Sequence, residues 1–388
     1  MTTWRRDFQA RAAVGTARAA QAVRGPQRHE APPRTLVVPP SSAGSLGDEA
    51  MMIVCLEELV AQDRQVGIVD FAEGDRWPNE PPDAEHVDLS GFFGPSYLRS
   101  LPSVTVSLGR YDELWCLGAD VVDGHYSPVG SFRRVSLLRM AAELGLDVSL
   151  LGFSVNDAPS PLVLGALRNL PASVRLCARD PISHTRLTRD LGRPIELVAD
   201  LAFGLEPATD TSDDEAALLE WIRACREGGH IMLGFNASHR AFQSSIGAEV
   251  DDVVVAYGSA LTGLFRERDD VSVVAVPHDY RESLHETGDD RLLRAIEAEL
   301  DPDDRSRFVL PSFRLQARFA SRLTAEVDAV IGGRMHLVIA ALRNGVPAAT
   351  VAYQGRLQAC SSTSTCPSLA WRRRWRSIPL RCGARLEL

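Results

Sequence analysis

The stretch DAVIGGRMHLVIAALRNGVPAATVAY, residues 328–353, decides the fold. Its run DAVIGG predicts a buried strand, the Gly-Gly pair a turn, MHLVIAALRN a helix, and AATVAY a further strand after the Gly-Val-Pro break. A strand, a helix and another strand in succession are the repeating unit of α/β proteins with a mostly parallel sheet. Two basic residues, Arg334 and His336, stand in the first turn of the predicted helix.

The same alternation of apolar runs and helical patterns covers most of the chain. Strands are predicted at 35–40, 65–71, 113–122, 147–153, 173–180, 195–200, 230–238, 271–280, 307–310, 328–333 and 348–353. Helices are predicted at 48–62, 131–145, 183–192, about 248–266, 289–300, 313–325 and 335–344. We therefore predict an α/β protein with two Rossmann-like domains and a cleft between them.

The length of 388 residues also favours two domains, because single cores stop growing below that size. The polar, acidic segment LEPATDTSDDEA, residues 205–216, is interpreted as a linker between domains at 35–204 and 217–356. Residues 1–34 are rich in Arg and Ala and are expected to form a flexible or helical extension. Residues 357–388 are rich in Arg, Cys and Trp and show neither helical nor strand periodicity.

Composition excludes several classes of function. The net charge of −9 argues against nucleic-acid binding. The chain contains no lysine, which excludes P-loop, Schiff-base and pyridoxal chemistry and leaves Arg, His and backbone N–H groups to hold an anion. The cysteines form no CxxC pair and have no histidine at zinc-ligand spacing, so we expect neither a metal nor a cofactor. With no apolar run of spanning length and no secretory signal, we expect a cytoplasmic protein with at most peripheral membrane contact.

Ligands of open α/β sheets bind beyond the carboxyl ends of the strands, so the turns at these ends are the candidate sites. In SSAGSLGDEA (41–50), Gly47 permits close approach of a ligand and Asp48 is an N-cap or first-turn acid, although an ordinary capped turn explains both. Arg179 in CARDPISHTRL is an anion contact or a salt-bridge partner, and Asp180 or Ser183 is expected to cap the next helix.

Two further turns have alternative interpretations. In VPHDY (276–280), His278 and Asp279 form either a proton-transfer pair or a polar turn. In CLGADVVDGHYS (116–127), the polar residues Asp120, Asp123 and His125 are either metal ligands or a solvated loop.

The most informative turn is Gly332-Gly333-Arg334. Because the N-terminus of a helix is effectively positive, Arg334 and His336 are unfavourable in the first turn unless an anion binds there. The pair therefore indicates an anion site, although a histidine bonded to a backbone carbonyl is the structural alternative.

With these turns assembled, the chain resembles the polysaccharide pyruvyl transferase family over residues of about 35 to 356. The resemblance rests on SLGDEAMM (45–52), ARDPIS (178–183), VADLAF (198–203) and, most specifically, AVIGGRMHLVIAALRNGVPAATVAYQGR (329–356). It implies a GT-B-like fold and the transfer of the enolpyruvyl unit of phosphoenolpyruvate to sugar hydroxyls as a ketal, with release of phosphate. The partners it implies are phosphoenolpyruvate and a sugar or lipid-linked saccharide of a cell-wall or exopolysaccharide precursor.

The resemblance also suggests roles for the candidate residues. His336 is expected to move protons, with His278 as the second candidate. Arg334 and Arg179 are expected to bind the phosphate and carboxylate groups, together with Gly332 and Gly333. Gly47 and Asp48 are expected to contact the substrate, with Asp48 orienting a sugar hydroxyl or holding its own turn.

Two alternative functions remain open at this stage. One is a GT-B glycosyltransferase that uses a nucleotide sugar, and the other is an inactive relative. The segment 357–388 bears on the second alternative, because it resembles a truncated or out-of-frame end more than a folded segment. A basic interaction tail is the other interpretation of that segment.

Overall fold

The computed structural model describes residues 12–18, 32–71, 74–239, 247, 249–281 and 287–350. They belong to two compact α/β units that divide between Asp200 and Leu201. The short segment Gly44–Met51 belongs to the second unit, although the residues on both sides of it belong to the first.

A seven-stranded parallel sheet forms the centre of the first unit, in the order β3-β2-β1-β4-β5-β6-β7. Its strands are β1 (Arg34–Val38), β2 (Gln65–Asp70), β3 (Glu85–Asp88), β4 (Glu113–Ala119), β5 (Asp147–Phe153), β6 (Arg175–Ala178) and β7 (Glu196–Leu197). The helices are α1 (Leu46–Ala61), α2 (Ser90–Phe93), α3 (Tyr97–Leu108), α4 (Pro128–Glu143), α5 (Pro161–Arg168) and α6 (Pro181–Leu191). The first residues of α1, up to Met51, lie in the segment assigned to the second unit.

The central strands of this sheet are almost wholly buried, which explains their continuous apolar runs. In β4 and in β5, every residue after the first is buried. Both faces of a parallel sheet are covered by helices, so its strands need apolar residues at successive positions and not at alternate ones.

The second unit contains a five-stranded parallel sheet in the order β10-β9-β8-β11-β12. Its strands are β8 (Ile231–Asn236), β9 (Val271–Ala275), β10 (Phe308–Val309), β11 (Ala329–Gly332) and β12 (Ala348–Thr350). After a 3-10 turn at Leu201–Gly204, its helices are α7 (Asp213–Glu227), α8 (Val250–Glu267), α9 (Asp289–Glu299), α10 (Pro302–Arg305), α11 (Ala317–Ala325) and α12 (Met335–Arg343).

Each sheet has one point at which the chain changes the side on which it adds strands. β1 pairs with β2 on one side and with β4 on the other. β8 pairs with β9 on one side and with β11 on the other. In open parallel sheets, ligands bind beyond the carboxyl ends of the strands at such switch points.

The predicted strands and helices are present with shifts of up to five residues at their ends, as in the predicted strand 271–280, which ends at Ala275. Residues 351–353 of the last predicted strand lie outside the described residues. Several short or polar elements were not predicted, namely β3, α2, α3, α5, α7 and α10. The segment 205–216, predicted as a linker, contains the start of α7, because Ser212 and Glu215 form a capping box at its N-terminus. Asp213, Asp214 and Glu215 of this segment are therefore favourable first-turn residues.

The N-terminal extension, predicted to be flexible or helical, is described only at residues 12–18 and 32–34. Residues 12–18 are helical, and Ala13 and Ala17 are buried in the core of the first unit. The predicted tail at 357–388 lies outside the described residues. Among the helices that the structure describes, none has the length and apolar character needed to span a bilayer.

Candidate active site

The carboxyl ends of β8, β9 and β11 bring together polar residues in the second unit. Arg334 is the N-cap residue of α12, directly after β11, and His336 lies in the first turn of that helix, as predicted. His278 follows β9 and is buried. All three residues were predicted to lie in turns at strand ends, and their roles stay predictions. We call these three residues and the residues that contact them at these strand ends the strand-end cluster.

The two glycines before Arg334 are required by close packing. A Cβ atom on Gly333 would lie 2.8 Å from the backbone nitrogen of Ser238, in the loop after β8. A Cβ atom on Gly332 would lie 2.9 Å from a methyl group of Val338. The turn after β11 therefore passes directly against the turn after β8, which a side chain at Gly333 would prevent.

The guanidinium group of Arg334 is held by two carboxylates. Its Nη2 atom donates to Asp289 Oδ1 at 2.8 Å, and its Nη1 atom lies 3.4 Å from Asp279 Oδ2. We expected Arg334 to balance the charge of a bound anion, but aspartates of this chain already balance it. The positive end of α12 tolerates an arginine at the N-cap because these acids lie beside it.

Asp289 joins three strand ends through one buried carboxylate. Besides Arg334, it accepts hydrogen bonds from Asn236 Nδ2 at 2.9 Å and from the backbone N–H groups of His278 and Asp279, each at 3.1 Å. Burial raises the pKa of Asp289, and the neighbouring Arg334 opposes that shift. Within the described part of the chain, every hydrogen-bond partner of this carboxyl group is a donor, and such contacts favour its ionised form.

His278 is a buried, neutral imidazole. Burial, together with the neighbouring His336 and Arg334, lowers the pKa of His278 to about 3. Neither ring nitrogen has a hydrogen-bond partner among the residues that the structure describes. A neutral imidazole has one ring nitrogen that donates a hydrogen bond and one that accepts a hydrogen bond.

This buried histidine predicts a pH-dependent stability. The unfolded chain protonates His278 below about pH 6.5, while the folded protein keeps it neutral down to about pH 3. The unfolded state therefore binds more protons in this window, and the free energy of unfolding falls as the pH falls through it. As the pH falls through this window, we expect the free energy of unfolding of the wild type to fall relative to that of His278→Gln, by up to about 1.4 kcal/mol per pH unit.

The measurement is urea unfolding of both proteins at several pH values between 7 and 4. All other titrating groups are common to the two proteins, so the difference isolates His278. A difference that does not change with pH would show that His278 is protonated in the folded state, against the burial described here.

The turn SLGDE packs against the same strand ends within the second unit. The backbone N–H of Leu46 donates to the carbonyl of His278 at 2.9 Å, and Ser45 forms a β-bridge with Asp279. Asp48 is buried, and its Oδ2 atom accepts a hydrogen bond from Arg281 Nη1 at 3.0 Å. Arg281 also donates to Asp279 Oδ2 at 2.7 Å, so it links the two acids.

Gly47 leaves room for the ring of His336. A Cβ atom at position 47 would lie 2.1 Å from His336 Nδ1 and 2.5 Å from its Cγ atom. Distances this short require one of the two groups to move. The absence of a side chain at Gly47 is therefore what allows His336 its present orientation.

A double-mutant cycle tests this contact. We expect Gly47→Ala to lower the free energy of unfolding by about 1–3 kcal/mol, the usual cost of overpacking. In a His336→Ala background, which lacks the ring, the same change should cost much less, with a coupling energy of at least about 1 kcal/mol. Urea unfolding of the four proteins measures it, and equal costs in both backgrounds would contradict the contact.

Glu49, the next residue of the turn, is a buried acid that sequence reasoning did not single out. Its Oε1 atom accepts a hydrogen bond from the backbone N–H of Ala317 at 2.7 Å, at the start of α11. Burial raises the pKa of Glu49 to about 7, although this hydrogen bond and Arg314 lower it. The helix α11 therefore takes its N-terminal acceptor from a residue that is remote in sequence.

Arg179 lies in the first unit and is engaged there. Its Nη1 atom is 2.7 Å from Asp200 Oδ2, and its Nε atom donates to Ser154 Oγ at 2.8 Å. The side chains of Arg179 and Asp200 are both buried, so the salt-bridge alternative describes this residue. Asp180 caps α6 by accepting from the backbone N–H of Ser183 at 2.7 Å, as predicted.

The loop after β4 is held by internal hydrogen bonds. The buried Asp123 accepts from the backbone N–H groups of His125 at 2.9 Å and Asn156 at 3.0 Å, and Tyr126 donates to Asp120 Oδ2 at 2.8 Å. Within the described part of the chain, no group of three or more His, Cys, Asp or Glu side chains is arranged to hold a metal ion.

Sequence reasoning missed Asp289, Arg281, Asn236 and Ser238 as members of the strand-end cluster. Asn236 ends β8 and Ser238 follows it, so the strand-end rule applied to HIMLGFNAS would have found both. Asp289 and Arg281 lie in ordinary charged segments and carry no comparable sequence signal.

A family profile matches most of the chain. The profile of the family described as polysaccharide pyruvyl transferase matches residues 46–355. The chain belongs to the polysaccharide pyruvyl transferase family. The predicted resemblance is thereby confirmed, and family and fold together indicate a transferase. Among curated protein sequences, none matches this family member significantly.

Solved structures of low sequence identity share the fold. A candidate UDP-N-acetylglucosamine 2-epimerase from Listeria monocytogenes has a TM-score of 0.55 and 11% identity, over 86% of this chain and 83% of that chain. UGT2 from Phytolacca americana, complexed with UDP-2-fluoroglucose and pterostilbene, has a TM-score of 0.51 and 12% identity, over 85% and 83% of the two chains. The predicted fold class, two Rossmann-like α/β domains of the GT-B type, is confirmed. At such identities the likeness concerns the fold alone.

Proposed function

We propose that this family member transfers the enolpyruvyl unit of phosphoenolpyruvate to hydroxyl groups of a saccharide acceptor and forms a pyruvate ketal. The observation that carries the proposal is the family match over 46–355, which includes the Arg334-x-His336 pair at a strand end. The acceptor is a sugar or lipid-linked saccharide of a cell-wall or exopolysaccharide precursor. The cytoplasmic location expected from the sequence belongs to the same proposal.

Ketal formation requires two proton transfers and the loss of phosphate. Two acceptor hydroxyl groups form C–O bonds to C2 of phosphoenolpyruvate, while the bond from C2 to the phosphate oxygen breaks. The two hydroxyl groups release two protons. One proton is matched by the proton that converts the methylene carbon to a methyl group, and the other leaves with the phosphate. The site must therefore hold an anion and move protons beside it.

The residues of the strand-end cluster are suited to these tasks. His336 is assigned the proton transfer, since an imidazole can act as an acid or a base near neutral pH. His278, whose imidazole is neutral when buried, is the second candidate. Gly47 keeps space for the His336 ring, and Asp48 holds its turn through Arg281.

Anion binding is assigned to Arg334 and the backbone at Gly332 and Gly333 of the second unit. Arg334 is paired with Asp289 and Asp279. It therefore contributes directed N–H groups more than unbalanced charge, and uncharged donors must supply the rest of the binding. Arg179, predicted as the second anion contact, is paired with Asp200 in the first unit and is left out of this assignment.

The test is release of inorganic phosphate from phosphoenolpyruvate by the purified full chain. We expect release that depends on a galactose-type or mannosamine-type acceptor, and a product whose mass exceeds that of the acceptor by one pyruvyl unit. Omission of the acceptor is the control. Absence of acceptor-dependent release, together with thermal stabilisation by UDP-sugars and not by phosphoenolpyruvate, would overturn the proposal in favour of a nucleotide-sugar glycosyltransferase.

A further inference from the structure

Ser238 lies at the switch point of the second sheet. It follows the central strand β8, whose neighbours are β9 on one side and β11 on the other. The turn that contains it packs against the turn of β11, because Gly333 donates its N–H to the carbonyl of Asn236 at 2.9 Å. Ser238 therefore belongs to the same strand-end cluster as Arg334.

The side chain of Ser238 is fully buried, and its Oγ atom has no hydrogen-bond partner among the described residues. A buried hydroxyl group without a partner costs free energy in the folded state. The ring nitrogens of His278, which follows the adjacent strand, are in the same situation. Two buried donors without partners at one switch point indicate that both serve a ligand.

The chemistry of the surrounding groups selects an anion. The helix α12 begins beside Gly333, and its N-cap residue Arg334 makes no capping hydrogen bond with its side chain. The N–H groups at such a helix end bind phosphate and carboxylate groups. Because the charge of Arg334 is shared with Asp289 and Asp279, a further neutral donor such as a hydroxyl group adds affinity without a new ion pair.

We propose that the Ser238 hydroxyl donates a hydrogen bond to the phosphate group of the donor substrate and, after transfer, of the released phosphate. This assignment rests on the proposed function for the identity of the donor substrate. Ser238 binds the leaving group and takes no part in proton transfer to carbon. It is therefore a binding residue that complements His336.

Ser149 provides a matched control. It is also a buried serine whose Oγ atom has no partner among the described residues, but it lies inside β5 of the first unit, before the end of its strand. Burial without a partner is common to the two serines, and only the position at a switch point distinguishes them. Ser149→Ala should therefore leave ligand binding unchanged.

The experiment is isothermal titration of the full chain with inorganic phosphate, phosphoenolpyruvate and pyruvate. We expect Ser238→Ala to weaken the binding of phosphate and of phosphoenolpyruvate about 10-fold, the usual effect of one hydrogen bond to a charged group. Pyruvate, which has only the carboxylate, should bind both proteins equally. The thermal midpoint of Ser238→Ala without ligand should not fall, because the hydroxyl has no structural partner to lose.

Three results would overturn the assignment. The first is equal phosphate affinity of the wild type and Ser238→Ala, or no phosphate binding by the wild type. The second is an effect on pyruvate alone, which would assign Ser238 to the carboxylate. The third is a lower thermal midpoint of Ser238→Ala without ligand, which would indicate a structural role.

These titrations need no turnover, so they separate the two proposals. Ser238-dependent phosphate binding without acceptor-dependent phosphate release would retain the assignment and reject the proposed function. Acceptor-dependent phosphate release, combined with phosphate binding that does not depend on Ser238, would retain the proposed function and reject the assignment of Ser238.

Discussion

Replacement of His336 by alanine is expected to reduce acceptor-dependent phosphate release by about 10²–10⁴-fold, the usual contribution of general acid–base catalysis. The imidazole lies in the first turn of α12, one residue beyond Met335, and its orientation depends on the space left by Gly47. No other side chain is expected to take over its proton transfer at full rate. His278 is the nearest alternative, and its buried imidazole is already neutral.

The measurement is the steady-state rate of phosphate release at saturating phosphoenolpyruvate and acceptor. A matched control is His230→Ala, since His230 precedes β8 at the opposite end of the strand and contacts Ser272. That variant should retain the wild-type rate. A His336→Ala protein with more than about a tenth of the wild-type rate would reject the assigned role, because general acid–base catalysis contributes more than that.

Replacement of Asp289 by alanine is expected to lower the free energy of unfolding by about 3–5 kcal/mol, the usual cost of breaking a buried ion pair. Asp289 is 0% exposed, and the Arg334 side chain beside it is 14% exposed. Without the carboxylate, that guanidinium loses its closest counter-charge. Asn236 and the backbone N–H groups of His278 and Asp279 lose their acceptor in the same step.

Urea unfolding followed by circular dichroism measures this loss. The control is Asp270→Ala, which removes an exposed partner of Arg268 and should cost far less, because solvent screens such a pair. A cost for Asp289→Ala as small as that of the control would mean that the three strand ends do not depend on this carboxylate. We also expect Asp289→Ala to lose activity, since it releases Arg334 from its present position.

The elements of this fold that were predicted are those with long apolar runs. β4, β5 and β9 were predicted because buried parallel strands consist of consecutive apolar residues. β3, with the sequence EHVD, was missed because an edge strand needs fewer apolar residues. The first turn of α7 was interpreted as part of a linker because its acids resemble a polar segment, although its capping box was visible in the sequence.

The residues of the strand-end cluster that were predicted are those that lie at the ends of predicted strands. His278 lies at the end of one predicted strand, and Arg334 and His336 follow another, so their positions at the same edge of a parallel sheet could be inferred. Asp289 and Arg281 could not be inferred in this way. Their partners lie far away in the chain, as Arg281 and Asp48 do, and a charged residue in a polar segment does not reveal its partner.

The sequence by itself determined the α/β alternation and the position of Arg334 and His336 at the start of a helix, because both follow from local periodicity. Only the tertiary structure decided which charges are already balanced. Arg334 pairs with Asp289, and Arg179 pairs with Asp200. Contacts of this kind depend on the order of strands in the sheet and on packing between remote segments, which no local pattern encodes.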